Sequence, residues 1–172
     1  MRKIVLVSTL ALAILVAFVP ISNAEMAKEG SASGPTYWIT KYTILPMGKE
    51  TVQINYEGWG VSQSPTGEGI LHNASCHVVG GLLAVKGVYE NDSGMASFTR
   101  PDGDQVFITY KCSGVAGKTG KGTFTYVGGT GKFVGIQGSG EFTRYTLRPP
   151  ADGFGASFTD SKSSWKIVET KK

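Results

Sequence analysis

The sequence predicts an all-β protein, an antiparallel barrel of eight strands, with a β-sandwich as the alternative. Three observations predict it. Apolar residues alternate with period two in several short runs, the spacing that sends successive strand side chains to opposite faces. Turn residues recur about every eight to twelve positions, as in sandwiches and barrels. The 24 glycines leave no window with a clean helical stripe, and a helix interior disfavours each glycine by about 1 kcal/mol relative to alanine. A barrel is preferred because closure removes exposed sheet edges.

The elements follow in order. Glu25 to Pro35 is small and polar and reads as a flexible leader, so that the barrel domain occupies residues 36–172. In Thr36 to Leu45, Trp38, Thr40, Tyr42 and Ile44 share a face. In Thr51 to Glu57, Val52, Ile54 and Tyr56 alternate with polar residues, the clearest half-buried strand of the chain. Ile70 to Val79 and Leu82 to Glu90 are predicted strands separated by a turn at Gly80-Gly81. Met95 to Arg100 and Gln105 to Cys112 flank Pro101-Asp102-Gly103-Asp104, a strong hairpin signal. Val106, Ile108, Tyr110 and Cys112 share one face of the second. Thr123 to Val127, Phe133 to Ile136, Gly140 to Leu147 and Ser163 to Thr170 complete the strands, with a loop over Pro149 to Gly155.

Residues 1–24 read as a signal peptide: Arg2 and Lys3, an apolar run over Ile4 to Phe18, then Ser22-Asn23-Ala24. Cleavage is expected after Ala24, giving a secreted or periplasmic protein with no stable membrane anchor. The apolar run is near the short end for a bilayer span. Without Arg2 and Lys3, the 17 basic residues become 15 against 13 acidic, a net of +2. They are dispersed, which argues against nucleic acid as a partner. Two cysteines in an exported chain are read first as a disulfide, Cys76 to Cys112, with two buried thiols as the alternative.

Several motifs have plain structural readings. Gly117-Lys118-Thr119 lacks the earlier glycine and the following helix of a phosphate loop. His72, Cys76 and His77 lack a second ligand cluster, so no metal or other cofactor is expected. His72 and His77 are five apart and point to opposite faces of an extended strand. Asp102 and Asp104 fit a turn better than a calcium loop. Arg144 shares a face with Phe142 and Thr146. If that face is inward, its guanidinium needs a partner, such as a ligand carboxylate. The alternative is that Thr143, Tyr145 and Leu147 point in.

Between Gly120 and Thr143 the chain reads strand, glycine turn, bulky anchor, glycine turn, strand. Gly128, Gly129, Gly131 and Phe133 form the predicted structural turn and its apolar plug. The segment Tyr126 to Phe142, YVGGTGKFVGIQGSGEF, resembles the Gly-Gly-Thr-Gly-x-Phe hairpin of allene oxide cyclase-like and dirigent-like barrels and their exported bacterial members. The resemblance implies an eight-stranded antiparallel barrel with an apolar lumen, in a family acting on hydrophobic small molecules. It transfers no catalytic residue.

The functional expectation is a barrel that binds a hydrophobic or aromatic small molecule, with Trp38, Tyr42, Tyr56, Tyr110 and Arg144 as candidate ligand-binding residues. A cyclase or isomerase of a lipid-like or polyketide-like substrate is the alternative that the resemblance implies. A third reading is an interaction protein whose barrel is filled by its own side chains.

Overall fold

In the computed structural model, which describes residues 27–169, eight strands form one closed antiparallel barrel. They are β1 (Glu29–Pro46), β2 (Thr51–Ser62), β3 (Ala74–Val85), β4 (Val88–Thr99), β5 (Gln105–Val115), β6 (Gly120–Gly129), β7 (Ile136–Leu147) and β8 (Phe154–Ile167), with a 3-10 turn over Gly131–Phe133. Each strand pairs with its sequence neighbour, and β8 returns to β1, from Glu29↔Lys166 to Lys41↔Phe154. The expected signal peptide and its cleavage after Ala24 lie outside the described residues.

Closure corrects the predicted leader. From Glu29 to Pro35 the chain is the first half of β1, and it pairs with Lys166 to Asp160 of β8. Its small residues offered no hydrophobic signal because backbone hydrogen bonds, rather than side chains, hold it in place.

The strand boundaries also move. Gly80-Gly81 is no turn: it lies inside β3, opposite Tyr56 and Asn55 of β2. The β3–β4 hairpin turns instead at Lys86 and Gly87, both at positive φ (52° and 78°), as a two-residue mirror-image turn requires. Lysine there carries none of the usual turn signal. Phe133 sits in the 3-10 turn rather than starting a strand, and β8 begins at Phe154 rather than Ser163.

One end of the barrel is closed. Ile70, from the β2–β3 loop, packs with Val106, Phe133, Ile136 and Trp165. Phe133 is 0% exposed. Gly128 and Gly129 end β6, while Gly131 takes a φ of 52°. The Lys132 N–H beside Gly131 donates to Asp104 Oδ2 (3.2 Å), and Thr130 Oγ1 accepts from the Gln105 N–H (2.8 Å). The glycine hairpin is thereby tied to the β4–β5 turn, over the apolar plug. At the opposite end Leu82, Ala84, Tyr89 and Cys112 fill only the β3–β5 side. No residue of β1 after Thr36, of β7 after Ile136 or of β8 before Trp165 is buried.

The cysteines are free and buried, which corrects the expected disulfide. Cys76 lies opposite Phe98 of β4 and Cys112 opposite Asp92 of the same strand. That offset along β4 amounts to roughly 20 Å at strand rise, whereas a disulfide joins Cα atoms about 4–7 Å apart. Burial pushes the Cys76 thiol up to about 12 and also raises that of Cys112. A thiol reagent is therefore expected to find no reactive thiol in the native protein and two after non-reducing denaturation. One or none after denaturation would contradict the free-thiol geometry.

Candidate functional site

Two rows of paired residues build the interior around in-register glycines. In the first, Tyr56 of β2 pairs with Gly80, Gly80 with Gly94, and Gly94 with Tyr110 of β5. The two tyrosines reach toward each other over the glycine pair. A Cβ on Gly80 would stand 2.8 Å from Tyr56 Oη, so alanine there would collide with the hydroxyls. In the second row, Tyr89 of β4 pairs with Gly114, Gly114 with Gly120, and Gly120 with Arg144 of β7. Here a Cβ on Gly114 or Gly120 would stand 2.7 or 2.6 Å from Tyr89 Oη. Each glycine pair makes the space in which two long polar side chains meet.

Asp92 joins the rows. It is 0% exposed, and it faces inward because the β4–β5 register shifts between Tyr89 and Asp92. That bulge lets residues three apart point to the same side. Tyr56 Oη donates to Asp92 Oδ1 (2.5 Å), and Arg144 Nη1 donates to Asp92 Oδ2 (2.7 Å). Arg144 Nη2 donates to Tyr89 Oη (2.6 Å), with the guanidinium 5.5 Å from the Tyr89 ring centroid. Tyr110 and Tyr56 share a short hydroxyl–hydroxyl bond. A phenol has one proton to give. Tyr56 gives its proton to Asp92, so Tyr110 is the donor to Tyr56.

This network stands in the wall of a cavity of about 90 Å³, partly open to solvent. Leu71, Val78, Phe98, Ile108, Phe124 and Phe142 supply an apolar face. Thr36 and Thr40 of β1, with Ser157, Thr159 and Ser161 of β8, supply a hydroxyl face. Trp38 Nε1 donates to Thr159 Oγ1 (3.2 Å), and Ser161 Oγ donates to the Gly34 carbonyl (3.2 Å). Among the described residues, Thr40 and Ser157 are lining hydroxyls without a protein hydrogen-bond partner.

Burial pushes Tyr56 far above the ordinary phenol range, and the charge of Asp92 and the neighbouring Tyr110 push it further. Burial also raises Tyr110, and it holds Tyr126 up at about 12. Burial works against the charge on Arg144, but the Asp92 carboxylate, Cys112 and Tyr89 together more than reverse it, so that it is raised. The tyrosine shifts give a sign for stability. Their folded-state values lie above the unfolded value of 10.0. Their contribution is complete below that value, and it is lost as pH rises through the folded values. Urea midpoints should therefore fall as pH is raised above about 10, with phenolate absorbance appearing as the protein unfolds. A midpoint flat across that range would contradict the burial of these phenols.

The structure brings Trp38, Tyr56, Tyr110 and Arg144 to one cavity. Tyr42 is half-buried, pairs with Tyr56 across β1 and β2, and lies outside the cavity wall. Arg144 faces inward with Phe142, and its partner is Asp92 rather than a ligand carboxylate. His77 is on the outer face, 2.8 Å from Glu57 and stacked on Trp59. His72 stays in the β2–β3 loop, where Nδ1 accepts from the Ser64 N–H (3.2 Å). Sequence reasoning missed Asp92, Tyr89 and the β8 hydroxyls. The available signal was the spacing of Gly80, Gly94, Gly114 and Gly120 opposite aromatic strands.

No family model and no curated protein matches this chain. Among solved structures it is similar to the pterocarpan synthase dirigent protein GePTS1, at 12% identity, covering 86% of this chain and 91% of that one, with a TM-score of 0.26. It is also similar to the pterocarpan synthase dirigent protein PsPTS1, at 10% identity, covering 84% and 100%, with a TM-score of 0.24. The barrel itself rests on the strand register described above.

Proposed function

We propose that this chain is an exported barrel that binds a small molecule with an apolar body and a polar edge. The observation that carries the reading is the two-faced cavity. An aromatic and aliphatic wall stands opposite a wall of threonine and serine hydroxyls, with a fixed polar network between them. Pockets of this composition hold ligands by apolar contact and orient them with a few polar groups. The cavity of about 90 Å³ is smaller than the ~150 Å³ in which an engineered apolar cavity holds benzene. A ring entering it leaves part of the ligand in the mouth.

Acid–base catalysis is less well supported. A general acid or base works best with a pKa near the working pH, and Tyr56 and Tyr110 are pushed well away from it. A barrel filled by its own side chains is also less well supported, because β8 presents only small residues to the cavity.

Native mass spectrometry of the protein purified from its own host tests the proposal. A retained small molecule, released on denaturation, is the expected result. Protein that is empty, and that no neutral aromatic or alicyclic compound stabilises in a thermal screen, would overturn it. Export is tested on the same sample, whose mature N-terminus should be Glu25.

A further inference from the structure

The charges and proton directions in the cavity wall narrow the class of ligand. Arg144 is the charged side chain lining the cavity among the described residues, and its side chain is 20% exposed. An isolated arginine in such a place would attract a carboxylate, often in a bidentate pair. Here Asp92, fully buried behind it, already takes that role at 2.7 Å. An anionic ligand would have to lose its hydration beside a site that is already neutral, and the desolvation of an ion is repaid only by a good countercharge. A cation would meet the guanidinium first.

Proton direction points the same way. Tyr56 spends its proton on Asp92, and Tyr110 spends its proton on Tyr56. Tyr110 Oη therefore offers lone pairs to the cavity, which accept from a hydroxyl and repel a carboxylate oxygen. Arg144 has five N–H groups, and two are taken by Asp92 and Tyr89. Thr40 and Ser157 can each donate or accept.

We infer that the cavity selects an uncharged, hydroxyl-bearing ligand over a carboxylate, and that Asp92 sets this preference by neutralising Arg144 and fixing the donor direction of Tyr110. Asp92 is a positioning residue in this account, since it reaches the ligand through Arg144 and Tyr110. The inference rests on the small-molecule reading above and specifies its ligand class.

The probes are benzyl alcohol and benzoate, two one-ring molecules differing in charge, titrated into the full mature protein by calorimetry at about pH 7, where the carboxylate is ionised. The wild type should bind benzyl alcohol at least about tenfold more tightly than benzoate. Asp92→Asn, which keeps shape and removes the countercharge, should move that ratio toward benzoate by about tenfold or more. A purely structural role would weaken both ligands together. If Asp92→Asn does not fold, Tyr110→Phe leaves the Asp92–Arg144 pair intact. It should weaken benzyl alcohol by several-fold and leave benzoate no weaker. A wild type that prefers benzoate or treats both alike overturns the inference, as does an unchanged ratio in the folded variants. A wild type that binds neither probe also overturns the inference, while the small-molecule reading stands or falls separately on the retained ligand and the thermal screen.

Discussion

Asp92→Ala is expected to destabilise the barrel by about 3–5 kcal/mol, the range for removing one partner of a buried ion pair. The substitution leaves the Arg144 guanidinium inside the barrel without its countercharge and the Tyr56 hydroxyl without its acceptor. Asp92 is fully enclosed, so water cannot simply take its place. Urea unfolding measures the effect. For a domain of this size a melting temperature moves by about 2–4 °C per kcal/mol, so a shift on the order of 10 °C should accompany it. Glu57→Ala supplies the contrast. Its ion pair with His77 is on the surface, where such pairs contribute about 0–1 kcal/mol. If the two variants unfold alike, the buried network does not hold the fold together.

Phe133→Ala should cost a comparable amount, about 3–5 kcal/mol, from lost transfer free energy and the cavity left behind. The ring is fully buried at the closed end, with Arg100 and Lys132 lying 5.9 and 5.5 Å from its centroid. Gly129 approaches so closely that a Cβ there would stand 2.6 Å from that of Phe133. The chain around it has little room to collapse. Gly131→Val should destabilise through a different cause. Its φ of 52° is left-handed, which costs a side-chain-bearing residue roughly 1–2 kcal/mol, and its Cβ would run into the Asp104 carboxylate. Neither residue lines the cavity, so both variants should lose stability while folded protein keeps its ligand affinity. Parental melting combined with lost binding would make the hairpin a ligand loop instead.

What the sequence made legible depended on unbroken alternation. Thr51 to Glu57 and Val106 to Cys112 kept strict period two, and their inward faces could be read off directly. The glycine hairpin carried its own local signature, with the bulky residue just past the turn. The center of the site was hidden for the opposite reason. A bulge at Tyr89 and Asp92 breaks the parity, and Asp92 fell between the predicted strands Leu82 to Glu90 and Met95 to Arg100. Gly80-Gly81 looked like a hairpin because glycine serves two purposes. Here Gly80 makes room for the hydroxyls of Tyr56 and Tyr110 rather than turning the chain. The cysteines failed on distance: their offset along β4 emerges only from the register.

The three tryptophans divide the molecule into regions that one spectrum can compare. Trp38 lines the cavity, with its indole N–H bonded to Thr159; Trp59 is half-exposed on the outer face; Trp165 belongs to the closed end. A titration of ¹⁵N-labelled protein with benzyl alcohol, following the three indole N–H resonances, tests whether the barrel interior is the binding site. Saturable movement of the Trp38 resonance, with those of Trp59 and Trp165 nearly still, is the expected result. Movement of Trp59 while Trp38 stays in place would put the ligand on the outer face and contradict an interior site.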